Sequence, residues 1–426
     1  MVREMKDSGV EWISEIPEGW GINRLQWHLE EINVLNVPIQ TKNILSLTIE
    51  SGVIPYEEKG NQGNKAKENI EGYKVAFPDT LVVNSMNVII GAVGISKYFG
   101  CVSPVYYVFK SADNTELRYI YYLFTNVGFQ KEMRKYAKGI LEIRLRISSN
   151  DLLKRMIPKP PYNIQKRIAD FLDIKCAELN NILAKTRASI EEYKKLKQAI
   201  ITQAVTKGVR GDREMKDSGI EWIGEIPVDW EVCRFGRCVT IKSNLVAPEK
   251  YLSYPQIAPD NIEKGAARLL HNIKTVEEVG VVSWNHLFHK GQIIYSKIRP
   301  MLNKLVIAPF DGLCSADMYP IETENDTEYI VFLMLSDLFL SQVGMVTINR
   351  VKMPKINQNE LANIKVPLPK IEEQKQIAEY LIYKCNQLDE IIDKKEQYLL
   401  EIENYKKSLI YEYVTGKKEV PQAYQA

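Results

Sequence analysis

The chain has 426 residues, 45% hydrophobic and 26% charged, a globular composition with room for two to four domains. It has no run of about 18 apolar residues to cross a bilayer, and its N-terminus, MVREMKDSGVEW, is charged where a secretory signal would be apolar, so a cytoplasmic protein with no membrane partner is expected. Basic residues number 56 against 54 acidic, and a net charge of +2 leaves any polyanionic partner to be met by local basic patches.

Residues 3–20 (REMKDSGVEWISEIPEGW) return at 213–230 (REMKDSGIEWIGEIPVDW) with 14 of 18 positions identical. A period of 210 residues, half the chain, is far beyond the roughly 20–50 residues of a solenoid unit and marks a duplicated domain. The block after the first copy, 21–156, is poor in helical periodicity. It is rich in short β-type runs between turn residues, such as TLVVNSMNVIIG (80–91) and VSPVYYVFK (102–110), with a helical stretch at LRYIYYLFTN (117–126). KGILEIRLRIS (138–148) alternates basic and apolar residues, as a strand or loop with one wet, basic face would.

IPKPPYN (157–163) then blocks a helix upstream and suits the first turn of one downstream. From Gln165 the pattern is helical as far as VTKG (205–208), where glycine supplies the stop. Leu179, Ile182, Thr186, Ser189, Tyr193, Leu196 and Ile200 are spaced 3, 4, 3, 4, 3, 4, a heptad seam with some polar seats.

The second half follows the same plan. Its block 231–365 contains GQIIYSKIRP (291–300), NKLVIAPF (303–310) and a helical YIVFLMLSDLFLSQV (329–343). VPLPKIE (366–372) precedes a second long helix closed by VTG (414–416), and Gln374–Thr415 aligns without gaps on Gln165–Thr206. Its seam is Leu388, Ile391, Lys395, Tyr398, Ile402, Tyr405 and Leu409; Leu183, Ile190 and Ile201, with Ile392, Leu399 and Ile410, widen the two stripes beyond one seam. Each helix, at about 40 residues, would be roughly 60 Å long. The natural partner for one is the other, antiparallel about a pseudo-two-fold axis. The alternative is that each packs only on its own domain.

The two globules have diverged but share a skeleton. At an offset of 212, Asp79–Asn84 lies over Gly291–Ser296 and Gly100–Ser103 over Gly312–Ser315. The expected class is α+β: two globular α/β domains joined by two long antiparallel coiled-coil helices in an internal repeat. The expected boundaries are 1–156 and 210–365 for the globules, 157–209 and 366–416 for the helices, and 417–426 for a tail.

Catalytic signatures are missing. There is no GxxxxGK[ST] phosphate loop and no G-x-G-x-x-G after a strand. Asp260, Glu263 and Lys264 do not make a nuclease cluster, His286 and His289 could share one face of a helix turn but lack a third ligand, and Cys233 and Cys238 lack partners. The six cysteines form no CxxC pair and read as reduced thiols. The sequence argues for a binding protein, with no catalytic residue and no metal site.

The repeated KDSG-x-EWI-x-EIP-x-x-W, the P-x-P…Q-x-x-I-A-x-x-L leading into each long helix and the VT-x-G or VTG closing it resemble the DNA-specificity subunit of type I restriction–modification systems. Asn84-Ser85-Met86-Asn87, Ser103-Pro104-Val105-Tyr106 and Tyr295-Ser296-Lys297-Ile298-Arg299-Pro300 resemble that family's target-recognition domains, and the likeness covers nearly the whole chain. It implies a non-catalytic subunit whose two target-recognition domains each read half of an asymmetric bipartite site in double-stranded DNA, with the helices fixing the gap. It further implies docking to two methyltransferase subunits and, through them, to restriction/translocase subunits. S-adenosylmethionine, ATP and magnesium belong to those partners, and none to this chain. Segment 3–20 should pack beside the end of the second helix as 213–230 does beside the first, closing a circular arrangement.

Base readout needs amide, hydroxyl, basic or acidic side chains on exposed loops, and phosphate contact needs lysine or arginine. Candidates in the first globule are Asn84, Asn87, Lys97, Tyr98, Ser103, Arg144 and Arg146; in the second they are Ser296, Lys297, Arg299, Asn303, Lys304, Ser315, Arg350, Lys352 and Lys355. For each, a solvated charge or a turn-closing side chain competes with a DNA contact. The helix-pair packing set is Leu179, Ile182, Tyr193, Leu196 and Ile200 with Leu388, Ile391, Ile402, Tyr405 and Leu409. A scaffold that bridges two protein partners without reading DNA is the competing function.

Overall fold

The computed structural model describes residues 4–60, 69–112, 114–139, 145–270, 272–350 and 354–424. The chain forms two compact units, Met1–Thr186 with Gln397–Ala426, and Arg187–Glu396. Each long helix therefore contributes to both.

In the first unit the repeated segment pairs Met5–Asp7 with Glu15–Pro17. Gly21–Arg24 then pairs antiparallel with Met156–Lys159, so the strand leading into the globule lies beside the strand leading out. Between them an antiparallel sheet runs in the order Leu29–Ile32, Tyr106–Ser111, Leu81–Asn84, Val93–Ile95. Side chains alternate across a strand. Leu81, Val83, Tyr107 and Phe109 accordingly join the large core that also holds the helices, while Val82 and Val108 join a smaller core with Leu45, Leu47 and Val102. Helices Leu117–Thr125 and Val127–Arg134 are separated at Asn126, whose side chain accepts from the Phe129 N–H at 3.2 Å.

The second unit repeats this frame strand for strand. Ile293–Ser296, Leu305–Ile307, Gly312–Cys314 and Met318–Glu322 stand 212 residues after Leu81–Asn84, Val93–Ile95, Gly100–Val102 and the start of Tyr106–Ser111. Register is kept as well: Tyr106 opposes Asn84, and Met318 opposes Ser296. A second sheet, from Leu245–Val246, Asn285–Phe288, Gly312–Cys314 and Gln256–Ile257, has a reduced counterpart in the first unit, where Lys74–Ala76 pairs with Gly100–Val102 and single bridges join Leu35 to Lys74 and Ile44 to Cys101. The stretch expected as one helix at 329–343 is two, Thr327–Leu335 and Asp337–Thr347. The break is Ser336, whose hydroxyl donates to the Leu333 carbonyl at 2.6 Å and accepts from the Phe339 N–H at 3.3 Å, competing with the helical ladder.

The long helices are Tyr162–Lys207 and Ile371–Val414, starting just after Pro160-Pro161 and Pro369. Gly208 and Gly416 follow their ends at φ +75°. A Cβ on Gly416 would also stand 2.6 Å from the Pro17 ring and 2.8 Å from Trp20, so the end of the second helix lies against the first repeated segment. Gly208 lies correspondingly near Arg213 and Trp230 of the second copy.

Within the first unit the two helix segments are antiparallel, with the Phe171 and Tyr413 rings 4.5 Å apart and Lys406 donating to Asn180 at 2.7 Å. Within the second, Lys197 donates to Asp389 at 2.6 Å and Lys395 lies over the Tyr193 ring. The buried stripe keeps eight of the fourteen expected seats and moves the other six by one residue. It follows 172, 176, 179, 183, 186, 190, 193, 197, 200, 204 on one helix and 381, 385, 388, 392, 395, 399, 402, 406, 409, 413 on the other. Ile182, Leu196, Ile391 and Tyr405 are exposed; Leu183, Ile190, Ile392 and Leu399 take the inner seats. Both registers have a 3.5-residue period and comparable apolar content, so the heptad rule alone cannot separate them.

Among the described residues no single helix is long and apolar enough to cross a membrane; one bent pair, Thr327–Leu335 with Asp337–Thr347, passes by composition and lies largely in the core.

Candidate nucleic-acid interface

The candidate side chains divide by burial. Asn84 and Ser296, equivalent positions at the ends of equivalent strands, are buried. Asn84 accepts from the Met86 N–H at 3.0 Å, and the Ser296 hydroxyl donates to the Ile298 carbonyl at 3.1 Å. Asn303 is buried at φ +45° and donates to Met334 O at 2.9 Å, tying its turn to a core helix. Ser315 accepts from the Asp317 N–H at 3.2 Å. These four shape loops. Asn87, Tyr98 and Ser103 are half-buried, while Lys97, Arg146 and Arg299 are exposed. Arg144 and Lys352 lie outside the described residues.

Several cations are already engaged. Arg350 forks onto the Glu360 carboxylate, which raises the guanidinium pKa and lowers that of the carboxyl group. Lys355 meets Asp317 at 3.0 Å, and Lys304 donates to Pro259 O at 2.7 Å with Asp260 at 3.7 Å. Lys97, Arg146, Lys297 and Arg299 have no carboxylate within 4.0 Å among the described residues. Lys297 instead lies 5.2 Å over the Tyr319 ring. Of the candidate cations that are described, these four are free to face an external anion.

Each unit also has a cleft. That of the second unit, about 1010 Å³, is lined by Trp222, His286, Lys297, Tyr319, Gln358 and Asn359 among others. That of the first, about 450 Å³, is lined by Tyr107, Tyr136, Lys138, Arg146, Ser148 and Asp151. Of these only Lys297 and Arg146 were expected from the sequence. In the first cleft Lys138 and Ser148 belong to the basic-faced segment 138–148, whereas Trp222, His286, Tyr319 and Gln358 of the second come from positions far apart in the chain that no local motif joins.

His286 and His289 do not share a helix face. His286 is buried in strand Asn285–Phe288, while His289 is exposed 3.6 Å from Asp311. Cys233 and Cys238 do have partners, namely each other, with their Sγ atoms 3.3 Å apart in the core.

The family model described as type I restriction modification DNA specificity domain matches residues 32–192 and 227–404, one stretch in each half. The EcoDI type I restriction enzyme specificity subunit of Escherichia coli is 30% identical over 360 residues, covering 80% of this chain and 79% of that protein. A putative type I restriction enzyme specificity subunit, MjaX, of Methanocaldococcus jannaschii is 26% identical over 434 residues, covering 96% of each chain. The fold matches a chain from a structure solved for complex assembly and conformational transition of the type I R-M system, with a TM-score of 0.69 at 13% identity over 94% of this chain and 98% of that one. A duplicated frame matched in both halves, and a relative aligned along most of its own length, place this chain in the family of type I restriction–modification DNA specificity subunits.

Proposed function

We propose that each globule reads one half of an asymmetric, bipartite site in duplex DNA, and that the long helices hold the two readings at a fixed gap while docking two methyltransferase subunits. Restriction/translocase subunits join through that core, and the complex works in the cytoplasm. The observation that carries this reading is the pairing of a frame kept in strand register at an offset of 212 with cleft linings that differ. Two readers on one scaffold need a common frame and different side chains. DNA modules one helical turn apart stand roughly 34 Å from each other, and helices of 46 and 44 residues, at about 1.5 Å per residue, are long enough to span that distance.

The role is recognition, with chemistry supplied by partners. Among the described residues no group of three or more His, Cys, Asp or Glu could hold a metal ion. S-adenosylmethionine, ATP and magnesium are placed on the methyltransferase and restriction subunits. The test is to express the chain with its methyltransferase in a methylation-free host and map methylated adenines. An asymmetric two-part motif with a constant gap is expected; an intact complex that yields no motif would favour a scaffold that does not read DNA.

A further inference from the structure

The two clefts occupy the same place in the repeat. Their floors are Tyr107 and Tyr319, 212 residues apart on equivalent strands, and the hydroxyls donate to equivalent carbonyls, Ile147 O at 3.0 Å and Ile356 O at 3.4 Å. A lysine nitrogen lies 5.2 Å over each ring, from Lys74 in one and Lys297 in the other. One wall is the start of a short helix: Ser148 accepts from the Asp151 N–H at 3.0 Å, and Asn357 from the Glu360 N–H at 2.9 Å.

On this shared scaffold the remaining groups differ in chemistry. The first cleft presents Lys138 and Arg146, neither with a carboxylate within 4.0 Å among the described residues. The second presents Gln358 and Asn359, whose side-chain amides have no intramolecular hydrogen bond among the described residues. Ser148 and Asn357 are occupied in capping their helices, whereas these four side chains are polar groups that the clefts leave available to a ligand.

Trp222, which lines the second cleft, is 46% exposed, while its repeat partner Trp12 is 9% exposed, 5.3 Å from the Phe129 ring, and is not part of the first cleft's lining. Gly128 makes room for Trp12, since a Cβ there would stand 3.2 Å from the indole; the equivalent residue in the second unit is the buried Leu338.

We propose that the two clefts are base-reading sites, the Gln358/Asn359 cleft taking an adenine edge and the Lys138/Arg146 cleft a guanine edge. An amide offers one donor and one acceptor, which matches adenine N6 and N7; arginine and lysine offer only donors, which match guanine O6 and N7. The assignment rests on the DNA-reading function proposed above.

The experiment maps methylated motifs for the chain co-expressed with its methyltransferase, comparing wild type with Gln358→Ala/Asn359→Ala, Asn359→Asp and Arg146→Ala. The alanine pair should relax one adenine position of one half-site by about tenfold, the discrimination of one bidentate contact. Arg146→Ala should relax one guanine of the other half-site, with the gap unchanged in every variant. Asn359→Asp keeps the side-chain size and replaces a donor by an acceptor, so preference at its position should move from adenine toward cytosine, whose N4 donates. This variant reports base choice even where the alanine pair weakens binding overall. A bipartite wild-type motif that all variants retain, or a uniform loss of modification with base preferences unchanged, would overturn the cleft assignment alone. A wild-type complex with no bipartite motif would overturn the DNA-reading function and the clefts with it.

Discussion

Gln165 fastens Glu116: its side-chain oxygen accepts the Glu116 N–H at 3.0 Å while its amide donates to Pro160 O at 3.0 Å. Gln374 treats Asp326 and Pro369 the same way, at 3.0 and 2.9 Å. In each unit one buried amide joins the first turn of a long helix to the N-cap of a globule helix. Gln165→Ala would leave the Glu116 N–H without its acceptor and should cost about 1–3 kcal/mol. A urea melt followed by circular dichroism checks this; an unchanged midpoint would mean that water replaces the amide.

The seam makes a paired prediction. Leu183→Ala and Ile392→Ala remove side chains 6% and 7% exposed and should each cost about 2–5 kcal/mol. Ile182→Ala and Ile391→Ala, one residue away, remove exposed side chains and should each cost well under that, about 1 kcal/mol or less. Equal losses at both registers would return the seam to the heptad first read from the sequence.

Lys197 and Lys406 are repeat equivalents in inner seats, and their partners Asp389 and Asn180 are repeat equivalents just outside the stripe. One pair is charged and the other is not. Asn180→Asp should complete the second ion pair and add about 0.2–1 kcal/mol at low salt, less at high salt, because the pair is solvent-exposed. Asp389→Asn should do the reverse. Denaturant midpoints at two ionic strengths decide it.

Lys97 and Arg299 carry charge that no described carboxylate neutralises. Replacing either by alanine should weaken DNA binding by the whole complex uniformly across sequences and reduce the salt slope by about 1. Arg350→Ala is a different experiment, since it also releases Glu360. A change in base preference from Lys97→Ala would contradict a phosphate role.

His28 is buried with Nδ1 3.0 Å from Thr115 Oγ1 and Nε2 without a partner among the described residues; burial first, then Lys159, lowers its pKa from 6.5 to about 4. The unfolded chain binds this proton near pH 6.5 and the folded one only near 4. The stability is therefore fully present above 6.5 and is lost as pH falls through that window. His28→Gln should flatten the dependence of the thermal midpoint on pH between those values; an identical slope in the variant would place the titration elsewhere.

The frame was legible in the sequence because it is written twice with its turn residues intact, from KDSG through the proline-led helix starts to the closing glycines. The seam was legible only to within one residue, since apolar side chains occupy two adjacent stripes and the partner helix chooses between them. Asn84, Ser296 and Asn303 looked like readers because polar residues at strand ends satisfy both roles; only burial and the positions of nearby backbone groups separate a turn-closing amide from a free one. The clefts were legible only in part: 138–148 reads as one basic face and supplies Lys138, Arg146 and Ser148 to the first, but most of the second has no local signal. Trp222, Tyr319 and Asn359 are brought together by strand pairing and helix packing, and no spacing rule links residues so far apart.

Gly21–Arg24 lies against Met156–Lys159, and Glu231–Arg234 against Lys365–Leu368. Each globule thus leaves its scaffold and returns to it through neighbouring strands, as a cartridge seats in a socket with both leads on one side. A segment of different length and surface can be exchanged between those leads without moving the helix that follows, provided that its own ends come close together. Changing what such a protein reads and changing how far apart it reads are therefore separable operations, one carried out between the paired strands and the other along the helices.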